Sequence, residues 1–217
     1  MTTRSFLQEQ AYNSIKEMIL SGQLVPDTLY SETKLAAQIG VSRTPMREAL
    51  QCLVQDGYLS IIPSKGFMIR KLSQQDMYET IQVRCALEGF CVQLIASEAG
   101  SKKHEALMTK LGKLLQKQEK AVTARDFPKS FIRFDHEFHL LLIHYVDNRE
   151  ITQLFQRSMY LIQLTSAAAL AVPGRVQGTL DEHREIYKCL IEGDGDSAYR
   201  NMIAHLMLPL NMHIAGK

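Results

Sequence analysis

Tryptophan is absent from the 217 residues, and cysteine and proline are scarce, with four Cys and six Pro. Cys52, Cys85, Cys91 and Cys189 show no paired spacing. That excludes a disulfide scaffold and a cysteine metal motif, and leaves them as small, reduced core residues. No apolar run approaches the roughly 18 residues that a membrane span needs. The polar start from Met1 to Gln10 lacks the apolar centre of a signal peptide, so a cytoplasmic protein without a membrane partner is expected. Repeats and low-complexity tracts are missing too. No sign of charge dominates: 25 Lys plus Arg face 23 Asp plus Glu, for a net +2. With 46% hydrophobic and 22% charged residues, the chain is globular rather than disordered.

The small basic excess lies in residues 1–71, which carry eight basic and six acidic side chains, whereas the remaining 146 carry 17 of each sign. Bulk charge therefore does not announce nucleic acid, and the placement of individual residues has to. Length favours a small domain, 1–71, joined to a larger one, 72–217.

In the first, Ala11, Tyr12, Ile15, Met18 and Ile19 recur at helical spacing before Gly22. Ser31 is placed to cap a short helix ending at Gly40, and Ser42 another that carries Met46, Ala49, Leu50, Leu53 and Val54. So tight a turn between two helices suggests a helix-turn-helix. Beyond Gly57, the alternating segments 58–62 and 67–70 flank Pro63 to Gly66 and read as a β-hairpin. Three helices and a hairpin make a winged helix.

With Ser42 as cap, Pro45 falls in the first turn, where its missing amide proton costs nothing, and Arg43, Thr44 and Arg47 project from the exposed end. Such a helix start can approach a phosphate, and an arginine beside it can hold a guanine edge with two hydrogen bonds. Lys65 with Gly66 at the wing tip can approach a neighbouring groove. These residues point to double-stranded DNA.

The run from Leu24 through Pro26, Leu29, Leu35, Ala36 and Gly40 to the Ser-Arg-Thr-Pro-Met-Arg-Glu-Ala-Leu core at 42–50, then Leu53, Gly57 and Gly66, resembles the winged-helix domain of GntR-type bacterial transcription regulators. The resemblance implies that Arg43, Thr44 and Arg47 read an operator and that Gly66 marks the wing. It also implies an arginine where this chain has Thr33, with Lys34 adjacent, and a glycine where it has Asp27.

After Leu72 the hairpin signals vanish, and Ser73 with Asp76 is a capping-box start. Periodicity predicts an all-helical antiparallel bundle of about six segments, at 73–98, 102–124, 127–146, 148–170, 179–192 and 195–213. Their breaks include Gly100, Pro173, Gly174, Gly178 and Gly193.

Polar residues interrupt this bundle's apolar stripes. Asp135 and His139 stand four apart beside Phe131, Phe134, Phe138 and Leu142, so they share a helix face. His183 lies between Leu180 and Ile186, and His205 between Met202 and Leu208. A buried carboxylate and three buried imidazoles must satisfy one another, hydrogen-bond elsewhere or bind something. A divalent metal would satisfy all four, and three nitrogens with one oxygen suit zinc, nickel or a similar first-row ion. His136 points about 100° away from Asp135, His104 and His213 lie near segment ends, and His144 is either core or a neighbour of the ligands.

This half is similar to the FadR C-terminal (FCD) type of effector domain, and about six helices rather than seven resembles the smaller VanR-like branch. In metal-containing members an Asp and a His four apart are followed by one His in each of the last two helices, a pattern that Asp135, His139, His183 and His205 match. Arg84 matches an arginine that faces the effector cavity in related proteins. With a metal nearby, it implies a small carboxylate effector, an organic acid or a sugar acid. The alternative is an Arg84 to Glu88 pair one helical turn apart.

Together these readings predict a ligand-responsive regulator, a homodimer on a palindromic operator. Two rivals differ in class. One is a metal-dependent hydrolase on a DNA-targeting module, with Glu137 or Glu182 as base, disfavoured because each points off the ligand face. The other is a regulator whose helical domain only dimerises and holds no metal.

Overall fold

The computed structural model describes residues 3–71 and 73–215, of which 3–5 and 212–215 by backbone alone. In chain order its elements are α1 (Thr3–Leu20), β1 (Leu29–Tyr30), α2 (Glu32–Ile39), α3 (Arg43–Gln55), β2 (Leu59–Ile62) and β3 (Gly66–Ile69), then α4 (Gln74–Ser97), α5 (Lys102–Ala121), α6 (Lys129–Tyr145), α7 (Arg149–Arg157), α8 (Met159–Leu170), α9 (Arg175–Glu192) and α10 (Gly195–Ala215). They form two compact units. One takes the chain to Ser73 together with Arg157–Leu161, the other Gln74–Gln156 with the chain from Ile162 on.

The first unit is a winged helix. Ala11, Ile15, Met46, Ala49, Leu50, Leu53 and Phe67 are fully or almost fully buried and join α1 and α3 to the sheet. Strand β1, which the sequence reading lacked, adds an edge, giving the antiparallel order β1-β3-β2. It explains Gly66: with φ +137°, a Cβ there would stand 2.0 Å from the Tyr30 carbonyl oxygen. This glycine serves the β1–β3 approach, and the wing tip proper is Pro63, Ser64 and Lys65. Asp27 adopts φ 61°, a left-handed conformation that glycine takes freely and aspartate tolerates, so the chain keeps its turn without glycine.

Ser31 caps α2 by accepting from the Lys34 amide. Ser42 sits at the start of α3 with extended backbone, but its side chain makes no cap bond, unlike the expectation.

Every regular element described after the wing is an α-helix, and two sequence boundaries are corrected in that stretch. The predicted segment 148–170 breaks at Ser158 into α7 and α8, so seven helices follow the wing among the described residues. No proline or glycine marks that break, and the count of six does not carry assignment to a smaller branch. Gly178, read as a breaker, lies inside α9, which starts at Arg175. One core of residues including Val92, Leu111, Phe131, Phe138, Leu142, Ile186 and Met202 unites α4, α5, α6, α9 and α10. All four cysteines are free. Among the described residues, no helix is long and apolar enough to cross a membrane.

Candidate functional site

Within the second unit, α6, α9 and α10 bring His139, His183 and His205 together, each buried and offering one nitrogen within 4.8 Å of the others. The Nε2 atoms of His183 and His205 are 3.3 Å apart, as are those of His205 and His139. What these contacts are depends on where the protons sit, and the opposite ring edges decide it. His139 Nδ1 faces Glu88 Oε2, His205 Nδ1 faces Glu182 Oε2 at 2.6 Å, and His183 Nδ1 faces Gln118 Oε1 at 3.0 Å. The Gln118 amide is fixed by donating its Nε2 to the Phe134 carbonyl, so its oxygen must accept. Every Nδ1 therefore carries a proton, and in the neutral form of each ring Nε2 presents a bare lone pair.

Three lone pairs converging without a proton repel one another, and a cation at their centre turns the repulsion into attraction. Two nitrogens bound at about 2.0–2.1 Å in tetrahedral geometry stand about 3.3–3.4 Å apart. The residues fit a first-row divalent ion on both counts. Asp135, 3% exposed, places Oδ1 3.7 Å from His183 Nε2, so its carboxylate adjoins the cluster without hydrogen-bonding it.

Burial drives the pKa values of His139 and His183 well below the ordinary imidazole value, with Arg84 and neighbouring imidazoles lowering them further. The neutral ring is the form that ligates metal. Burial alone would raise Glu182, but hydrogen bonds from His205 and Arg175 prevail and hold it below the usual carboxylate value.

Arg84 makes the helical-turn pair with Glu88, Nε to Oε1 at 2.7 Å, and also lines the cavity beside the histidines. The cavity is tight, about 20 Å³, and is also lined by Asp135, His139, His205, Thr165, Arg175 and Thr179.

Four residues here escaped the sequence reading or were cast otherwise. Glu88 and Gln118 interrupt apolar stripes as the histidines do, so the same signal could have found them. Glu182, weighed as a hydrolytic base, is gripped by both Arg175 terminal nitrogens at 2.6 and 2.7 Å and accepts from His205. Arg175 was hidden by the supposed break at Gly178. Glu137 and His144 line a different groove with Lys110, Lys113 and Lys117, and His144 is exposed there rather than in the core. His104 contacts the Leu190 carbonyl at 2.9 Å. His136 is buried outside the cluster. The side chain of His213 lies outside the described residues.

In the first unit, Arg43, Thr44 and Arg47 are exposed on the first turns of α3, and Lys65 is exposed at the wing. Arg47 leans toward Glu32, Nε to Oε2 at 3.4 Å, with its side chain 72% exposed, a contact that surface screening leaves weak. Lys34 and Thr33 are exposed on α2.

Two families match the chain: bacterial regulatory proteins, gntR family, over residues 7–69, and the FCD domain over residues 79–207. The HTH-type transcriptional regulator YdhC of Bacillus subtilis (strain 168) is 33% identical over 196 residues, spanning 90% of this chain and 86% of that protein. The crystal structure of a transcriptional regulator GntR from Rhodococcus sp. RHA1 superposes with a TM-score of 0.79 at 19% identity, covering 97% of this chain and 98% of that one. The Zn2+-bound FCD domain of TM0439 superposes with a TM-score of 0.52 at 23% identity, covering 67% and 96%. At these identities the two structures speak for the fold alone.

Proposed function

Because the chain belongs to the gntR family of bacterial regulatory proteins and carries their FCD domain, we propose that it is a cytoplasmic repressor or activator whose operator affinity is set by a small acid bound beside a metal ion. It is a transcription regulator and not an enzyme. Residues 1–71 read DNA through Arg43, Thr44, Arg47 and Lys65, with Gly66 shaping the wing, and residues 72–217 sense the effector. His139, His183 and His205 hold the ion with Asp135, and Arg84 faces the acid.

The observation that carries the sensing half is the convergence of three Nε2 atoms, each ring held by an acceptor behind it. Its support is independent of the zinc-bound FCD neighbour. Zinc or nickel suits the donor set and, when bound, supplies positive charge and open positions for an oxygen ligand. Glu88, Gln118 and Glu182 orient the rings so that no rearrangement precedes binding. Arg84 offers its free edge to a carboxylate.

One recognition helix covers a half-site, so a homodimer on a palindromic operator supplies useful specificity. Effector binding changes operator affinity by its differential affinity for the two conformations. Selection of duplexes from a random library tests this. We expect a palindrome whose affinity changes when zinc and a small carboxylate are added together. Failure to enrich any sequence would overturn the DNA half, and zinc uptake without effect on DNA at any acid tried would overturn the sensing half.

A further inference from the structure

Charge balances over residues 72–217, with 17 side chains of each sign, yet α5 alone holds six lysines against two glutamates. Three of them, Lys110, Lys113 and Lys117, are exposed at spacings of three and four, so they share one face of the helix. With α6 packed alongside, that face forms one wall of a groove of about 420 Å³, lined further by Leu114, Leu140, Leu141, Glu137 and His144. Three cations thus face one anion over a leucine floor. The cations also lie on apolar surface: Lys117 Nζ is 5.6 Å from the Phe134 ring centre, and the Arg133 guanidinium is 4.8 Å from it. Among the described residues, no ion pair joins Lys110, Lys113, Lys117 or Arg133 to a carboxylate.

An occupant has to answer both the charge and the floor. A small anion reaches only part of the row, since Lys110 and Lys117 stand about 10 Å apart along the helix axis. A nucleic-acid backbone could meet all three lysines, but it would set phosphates on leucines and against Glu137. A second copy of the same face is disfavoured by its own charge, because a two-fold contact sets lysines against lysines. A helix with an apolar stripe meets both demands. Its stripe covers the leucines, and carboxylates at i, i+3 and i+7 repeat at the spacing of the lysines.

We infer that the α5–α6 groove docks an acidic amphipathic helix of another protein. Lys110, Lys113 and Lys117 pair with its carboxylates, and Leu114, Leu140 and Leu141 receive its apolar stripe. No residue lines both this groove and the histidine cavity, so the contact does not rest on a bound ion or acid.

The probe is a fluorescein-labelled helix of about 14 residues, close to four turns, with leucines along one stripe and glutamates at i, i+3 and i+7 beside it. Anisotropy titration against the full-length protein, at about 0.15 M salt, should show saturable binding. It should be at least tenfold tighter than for the same helix with lysines in place of the glutamates, or alanines in place of the leucines. The triple variant Lys110→Glu, Lys113→Glu, Lys117→Glu should lose the glutamate helix at least tenfold and gain the lysine helix, a swap that a misfolded groove would not produce. No binding of the glutamate helix, equal binding of the leucine-free one, or full affinity in the triple variant would each overturn the proposal. Displacement of the helix by an oligothymidylate would overturn it too, making the groove a nucleic-acid surface. The comparison among helices on the unaltered protein decides the matter even where the triple variant folds poorly.

Discussion

Glu88 shows how much one buried side chain can do. It is fully buried, accepts from Arg84 on its own helix, and faces His139 across the core. It thereby sets a His139 proton on Nδ1 and leaves Nε2 turned toward the other two rings. Glu88→Gln keeps the volume but weakens both links, and metal affinity should fall about 10- to 100-fold, as read by chelator competition. An unchanged affinity would mean that the imidazole is oriented by packing alone. Arg43 is the corresponding residue in the proposed DNA contact. Arg43→Ala should weaken binding to a selected operator by about 1–3 kcal/mol with the melting temperature unmoved. Equal loss on random duplexes, read by fluorescence anisotropy, would make it a phosphate contact.

Among the elements, α2 and α3 present a natural comparison. Both follow a serine, yet only Ser31 bonds back to its helix. Ser31→Ala should cost about 1 kcal/mol of stability in urea denaturation, and Ser42→Ala clearly less. Equal costs would show that the cap at Ser42 forms in solution. The helices were legible in the sequence wherever a 3.6-residue stripe ended at a glycine or a cap, as α2 does at Gly40 and α9 at Gly193. They were illegible where the stripe runs through its own interruption. Nothing in Arg157, Ser158 and Met159 announces the end of α7, and Gly178 resembles a stop while the helix continues past it. The clustered histidines were legible because a polar side chain in an apolar stripe has to be explained by something. Their supports were not, since pairing Gln118 with His183, or Glu182 with His205, requires knowing which helices are neighbours. Strand β1 has only two residues and shows no alternation to read.

For the whole molecule, stability should depend on both ion and acidity. Zinc at a hundredfold excess over its Kd stabilises by about 2.7 kcal/mol through mass action, so a chelator should lower the calorimetric transition of the second unit. No shift would argue that the histidines hold nothing. In the metal-free protein, folded His139 and His183 resist protonation, whereas the unfolded chain accepts it near the ordinary value of 6.5. Above that pH neither state takes up the proton and these groups contribute no dependence. Below it, acid favours unfolding by up to about 1.4 kcal/mol per pH unit for each imidazole, until the folded values are reached. Denaturation with chelator present at pH 7.5 and 5.5 checks the sign, and equal stability at both would contradict it. The three imidazoles also come from helices made at different times, and His205, on α10, is synthesised after the other two. If the site holds an ion, a nascent polypeptide cannot complete its chelate until α10 has left the ribosome, so occupancy certifies that translation has passed His205.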